Sequence, residues 1–334
     1  MKEQDIDEMV LSAVADFARS LTSRSGVVPD MSDLINVTAE LPLARLDRWE
    51  RAMRWCFDQT LLQEKNKQPS WKFWKREKRP ITWLDLSSHD GYKRERALRS
   101  LVGGAPNRFF LAIALRRLND WVPEVRLAAR EMLPKIAAQS KPEHVVDAVC
   151  VVLTHWNSWQ RMDNPERSAI LEIAQAGAVT RALVSKLVLT TTGPMSSILS
   201  QLGRTEMLDK FLPDIAKGAV QPTVRAKAYR SLLDTKITWF EKREFKWTDV
   251  RYSEGRFVPV VSERDLVVSL PFRTALVAAS KDPSPIVRRV AGEFLIKRLT
   301  SLGASAPELA QRLANDSSPS VAERGRFALR ALST

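Results

Sequence analysis

The densest group of side chains able to do chemistry lies in residues 65–82, KNKQPSWKFWKREKRPIT. Seven cations (Lys65, Lys67, Lys72, Lys75, Arg76, Lys78 and Arg79) face one acid, Glu77, for a local net charge of +6. Trp71, Phe73 and Trp74 are interleaved with them. Lysine and arginine hold phosphates, and an indole stacks on a base or rests at the level of lipid headgroups. Three readings follow. The segment is a loop whose aromatics fold back on the rest of the chain, a nucleic-acid contact, or a docking element for an anionic membrane surface. Pro69 and Pro80 argue against one long regular helix here. The candidate contact residues are Trp71, Lys72, Trp74, Lys75, Arg76, Lys78 and Arg79.

A second stretch of similar chemistry is TWFEKREFKWTDVRYSEGRFVPVV, residues 238–261. Helical spacing is lost there. Phe245, Trp247, Val250 and Tyr252 precede Ser253, Glu254 and Gly255, and Phe257, Val258, Val260 and Val261 follow. Aromatic and β-branched residues on both sides of a glycine-containing turn predict a β-hairpin-like insertion. Lys242, Arg243, Trp247 and Arg251 are its candidate binding residues.

Catalytic signatures are missing from the sequence. His89, His144 and His155 form no HExxH, Cys56 and Cys150 form no CxxC, and no phosphate-cradling GxxxxGK[ST] loop or GxSxG elbow occurs. His144 and His155 are eleven residues apart on one expected helix, some three turns from each other. Gly103 and Gly104 read as a helix-ending turn. Carboxylate acid–base pairs are formed in space rather than in sequence, so spacing does not speak to them. No catalytic residue, metal or cofactor is assigned.

What positions these stretches is a repeated helical element. KDPSPIVRRVAGEFLIKRL, residues 281–299, opens with Asp282 and two prolines. Val287, Arg288 and Ala291 follow, and Val287, Ala291, Phe294, Leu295 and Leu299 fall on one helical stripe. Pro285 sits near the helix start, where its missing N–H costs nothing. WVPEVRLAAREML repeats the pattern with Pro123, Val125, Arg126 and Ala129. VQPTVRAKAYRSLL repeats it with Pro222, Val224, Arg225 and Ala228. SSPSVAERGRFALRAL keeps Pro319, Val321 and Gly325 but has Ala322 in place of the arginine, and GYKRERALRSL keeps Arg94 and Ala97 without the proline. Weaker echoes begin at Pro165 and Pro194. The prolines lie 42, 29, 28, 63 and 34 residues apart, and the 63-residue step has room for one repeat plus an insertion. A period of about 30 to 45 residues is that of stacked helical repeats.

The D-x-x-P-x-V-R-x-x-A pattern resembles the second helix of HEAT repeats over residues 84–332. The resemblance implies an all-α fold: a right-handed α-solenoid of about six or seven HEAT-like helix pairs with a small β-hairpin-like insertion. Residues 1–64 read as an α-helical N-terminal cap, 65–82 as the basic-aromatic loop, 83–237 as HEAT-like repeats, 238–265 as the insertion and 266–334 as the C-terminal repeats. The resemblance also implies a structural ladder, in which Arg94, Arg126, Arg225 and Arg288 pair with the aspartate of an adjacent turn (Asp90, Asp120, Asp282 or Asp316). The other reading of the same arginines is a basic stripe on a concave face that grips phosphate. Two enzyme families are HEAT-like. Alkylpurine DNA glycosylases use a basic concave face with Trp and Asp, chemistry that Asp120-Trp121 also offers, but no particular catalytic Asp aligns. For phycobilin lyases no motif is found.

Composition sets the outer bounds. The chain has 334 residues, 44% of them apolar, enough for a long array or two ordinary domains. With 52 basic and 39 acidic residues its formal charge is +13, which favours an acidic partner or serves only to keep the surface solvated. Two distant cysteines read as free thiols of a reducing compartment. The start, MKEQDIDEMV, is acidic and lacks the form of a signal peptide, and no apolar run is long enough to span a bilayer. The expectation is a cytoplasmic, non-catalytic scaffold that binds a protein partner. Nucleic-acid binding and docking at an anionic membrane are the alternatives.

Overall fold

The computed structural model describes residues 3–22, 29–67, 79–268 and 270–333. Among the described residues it contains sixteen α-helices, several short 3-10 turns and one two-stranded antiparallel sheet. The chain divides into two compact units, Met1–Val179 and Thr180–Thr334.

In the first unit α1 (Glu3–Ser20) packs on both α2 (Ser32–Ala39) and α3 (Leu46–Asn66). They are followed by α4 (Gly91–Ser100), α5 (Arg108–Arg116), α6 (Pro123–Ala138), α7 (Pro142–His155) and α8 (Asn164–Gln175). Helices α3, α5 and α7 are neighbours in one layer, and α4, α6 and α8 in a second. Leu46, Trp49, Met53 and Phe57 form the buried stripe of α3. The entire middle of α5, from Phe109 to Leu115, is buried because it is covered on both sides. Its start is fixed by Asn107. The Asn107 Oδ1 accepts from the Phe109 and Phe110 N–H groups at 3.0 Å, while its Nδ2 donates to Ile35 O and Thr38 Oγ1 at 2.8 Å. One side chain therefore caps a helix and ties α2 to it.

Helix α9 (Gly177–Leu189) leads into the second unit. There α10 (Met195–Leu202), α11 (Leu212–Gly218) and α12 (Pro222–Asp234) precede strands β1 (Lys236–Asp249) and β2 (Glu254–Asp265). Helices α13 (Phe272–Ser280), α14 (Pro285–Lys297), α15 (Ser305–Ala314) and α16 (Pro319–Leu332) complete it. Helix α12 packs on α10 and α14, and α14 on α16; α11, α13 and α15 back them as partners.

The repeated sequence pattern has a direct local cause. Pro123, Pro222, Pro285 and Pro319 each occupy the first helical position of α6, α12, α14 and α16. The small residue three places after each arginine, Ala97, Ala129, Ala228 or Ala291, is fully buried. In α16 that place belongs to Gly325, where an added Cβ would stand 2.1 Å from Ala314 N, so α15 and α16 touch backbone to backbone.

One local expectation is corrected: the hairpin turns at Val250 to Ser253, and Gly255 lies inside β2 opposite Trp247. Helix α8 breaks at Ala176 and Gly177 begins α9. A 3-10 turn, Glu206–Phe211, precedes α11. Cys56 and Cys150 are not joined in a disulfide. Among the described residues no helix is long and apolar enough to cross a membrane.

Candidate functional site

Three of the repeated arginines make the same set of contacts. Arg94 donates through Nε and Nη2 to the two Asp120 carboxylate oxygens at 2.8 and 2.7 Å, and through Nη1 to Ser88 O and His89 O at 2.7 and 3.0 Å. Arg225 forks onto Asp282 at 2.8 and 2.9 Å and reaches Ala219 O and Val220 O. Arg288 forks onto Asp316 at 2.6 and 2.9 Å and reaches Asp282 O and Pro283 O. The aspartates also cap their own turns, accepting from Val122, Ser284 and Ser318 N–H groups. From arginine to aspartate the chain runs 26, 57 and 28 residues. Arg126 differs. It reaches Asp120 O at 2.9 Å, and its carboxylate neighbour is Glu166 of α8, 4.0 Å from Nε. The Arg288 hydrogen bonds hold the Asp316 carboxyl below its ordinary value, against the opposing effect of burial.

The hairpin has a clamped root and an open tip. Ile237 is fully buried at the root, against Gly203, where an added Cβ would lie 2.2 Å from Ile237 Cδ1. Arg204 forks onto Glu241 at 3.0 Å and lies over the Trp239 ring, whose Nε1 donates to the same carboxylate. Burial works to raise the Glu241 carboxyl, and the Arg204 and Trp239 donors overcome it and hold it low. Arg264 forks onto Asp209 at 2.8 and 2.6 Å. The register slips between Phe240 and Lys242 and again between Trp247 and Asp249. These irregularities break the alternation in the sequence.

Beyond the first slip the strands contact solvent on both faces. Phe245 pairs directly with Phe257, ring centroids 5.2 Å apart, and stands edge-on to Trp247 at 4.9 Å. These rings remain 41%, 66% and 57% exposed, respectively. Phe245 also fills the space a side chain at Gly255 would need, with Cζ 2.3 Å from the position of its Cβ. Lys242 pairs with Glu244 at 3.2 Å, and Arg251 lies 3.8 Å from Asp249. Arg243 has no ion pair among the described residues. The tip thus presents aromatic surface, cations and two unpaired strand edges together.

A cleft of about 510 Å³ lies in the first unit. Asp47, Glu50, Arg51 and Arg54 reach it from one face of α3. Ser88, His89 and Arg94 come from the start of α4, Arg116 to Trp121 (without Leu118) from the α5–α6 turn, and Arg161 from the α7–α8 connection. Six arginines outnumber three carboxylates. Glu50, buried, takes Arg116 at 2.7 Å and Arg117 at 2.6 Å; Asp47 takes Arg116; Asp120 takes Arg94 and Arg117. Burial pushes the Arg117 guanidinium below its ordinary value, with Glu50 and Asp120 opposing.

Of the residues that sequence alone selected, Lys242, Arg243, Trp247 and Arg251 gather on the open hairpin tip. Arg79 forks onto Asp85, with Nη1 2.9 Å from Oδ2, and lies over the Phe57 ring. Trp71, Lys72, Trp74, Lys75, Arg76 and Lys78 lie outside the described residues. Sequence reasoning missed the pairing of Phe245 with Phe257, for which the two β-rich runs were the available signal. It also missed the cleft, whose parts come from four separate segments with no shared motif. No protein-family model, curated protein or solved structure matches the chain.

Proposed function

We propose that this chain is a non-catalytic helical-repeat scaffold of the HEAT-like type, a right-handed α-solenoid capped by residues 1–64, that holds a protein partner. The observation that carries the reading is the hairpin tip. An isolated two-stranded sheet is marginal in water, and exposed aromatic residues on it gain most when covered. A partner strand added to either edge supplies the missing hydrogen bonds, and its side chains cover Phe245, Trp247 and Phe257. The Arg–Asp forks support the scaffold reading, because they use these arginines within the array and leave them unsuited to gripping phosphate.

The test is affinity purification of the full chain beside a Phe245→Ser/Trp247→Ser variant, followed by a binding titration with the recovered partner. A stoichiometric partner retained by the parent and lost from the variant, with the melting temperature unchanged, is the expected result. Equal recovery by both would remove the hairpin from the proposal. The nucleic-acid reading rests on the +13 charge and on the cations at 65–79 and 242–256. It predicts salt-sensitive binding of DNA or RNA by the same preparation. The membrane reading rests on Trp71 and Trp74 and requires liposome binding that depends on them.

A further inference from the structure

The Arg-rich cleft of the first unit has no part in the hairpin proposal, and its charge is not balanced. Its three carboxylates are taken up by Arg94, Arg116 and Arg117. Arg51, Arg54 and Arg161 line the same cleft and meet no carboxylate among the described residues. Among the described residues Arg51 Nε reaches only Asp47 O of its own helix. Arg54 makes one long contact there, to Ser87 O, and its Nε is buried with no acceptor among them. Like charges gathered in a concave site repel one another and concentrate anions. A buried donor without an acceptor calls for one. Beside them Trp121 is 67% exposed, with the Arg94 guanidinium 5.8 Å from its ring centroid. The volume, about 510 Å³, suits one small organic ligand and is too small for a folded partner.

We infer that this cleft binds a phosphomonoester that carries a planar ring, a ligand of mononucleotide size. Arg51, Arg54 and Arg161 hold the phosphate, and Trp121 offers its face to the ring. Guanidinium forks match the three terminal phosphate oxygens, and a dianion balances the excess positive charge better than a single carboxylate does.

The experiment is isothermal titration of the full chain at low salt with inorganic phosphate, the common nucleoside monophosphates, adenosine, and a short single-stranded oligonucleotide. Variants are Arg51→Gln, Arg161→Gln and Trp121→Leu, at exposed positions outside the Arg–Asp forks. At least one monophosphate is expected to bind more tightly than phosphate or adenosine alone. Each arginine change should weaken it about tenfold, the cost of one charge-assisted hydrogen bond. Trp121→Leu should remove the advantage over inorganic phosphate and leave phosphate binding itself intact. Saturable binding by none of the small ligands would overturn the inference, as would full binding by the Arg51→Gln/Arg161→Gln double variant. Binding of the oligonucleotide alone would overturn it in favour of a nucleic-acid backbone. Every variant keeps the hairpin, so failure here leaves the scaffold proposal standing.

Discussion

Arg94, Arg225 and Arg288 each direct four hydrogen bonds to one aspartate and two carbonyls, and each aspartate returns a cap to its own turn. For Arg225 and Asp282 the two side chains are nearly buried. Removing one partner then strands a charge away from water, which costs about 3–5 kcal/mol, far more than the net worth of an intact pair. Asp282→Ala should therefore lower unfolding stability by roughly 3 kcal/mol in a urea titration. Asp282→Asn, which keeps the cap to Ser284, should cost less. Arg225→Lys should behave almost like a deletion, since one ammonium cannot span two carboxylate oxygens and two carbonyls.

A second residue gives a pH signature. Lys227 donates to Thr238 O at 2.6 Å and to its Oγ1 at 2.9 Å, where burial, with help from Arg230, lowers its pKa to about 8. Between that value and the ordinary 10.5 the folded chain has released a proton that the unfolded chain keeps. Raising the pH across this window favours the folded state, and below it the dependence vanishes. The stability of the parent relative to Lys227→Met should rise by up to about 1 kcal/mol per pH unit from pH 8 upward. A flat difference would show that the ammonium is as well solvated there as in the unfolded chain.

At the scale of elements, the helix starts were the most legible part of the sequence. Proline at the first helical position and a small residue at the packing contact act locally, so they leave marks at fixed spacing. Close approach does the same, and Gly325→Ala tests it. The added methyl has no room against Ala314, so α15 and α16 must separate, at a cost of about 1–3 kcal/mol in thermal or urea unfolding. The position of the hairpin was legible and its turn was not. The glycine pointed to residue 255, but Gly255 is there to make room for the Phe245 ring, and the turn is made at 250–253 without glycine. Ser253 takes the left-handed conformation instead, with φ 54°. The cleft was illegible because arginines at 51, 54 and 161 share no period. They meet only when α3 and the α7–α8 connection have packed around the α5–α6 turn.

Over the whole chain the formal charge is +13, since each Arg–Asp fork is neutral as a pair and leaves the excess of cations in place. Under the proposed scaffold function these cations would favour approach by an acidic partner, and the aromatic tip would retain it. The two contributions separate kinetically. Added salt should slow association of the complex, and Phe245→Ser/Trp247→Ser should chiefly speed its dissociation. Surface-plasmon-resonance rate constants at two ionic strengths check both.

The long interval in the arginine–aspartate series has one more consequence. Between Arg225 and Asp282 the chain runs 57 residues, against 26 and 28 elsewhere. Taking out the 30 residues from Lys236 to Asp265 leaves 27, the ordinary step. The ends of that stretch already meet, with Leu266 N–H on Thr235 O at 2.9 Å. The hairpin is thus a guest spliced into a host whose own spacing is complete without it. Replacing 236–265 with a short Gly-Ser link should keep the Arg225–Asp282 fork and the helical circular-dichroism signal, at the loss of the contacts made by Ile237, Glu241 and Arg264. A host built this way can lose or exchange its guest while its helices keep their register.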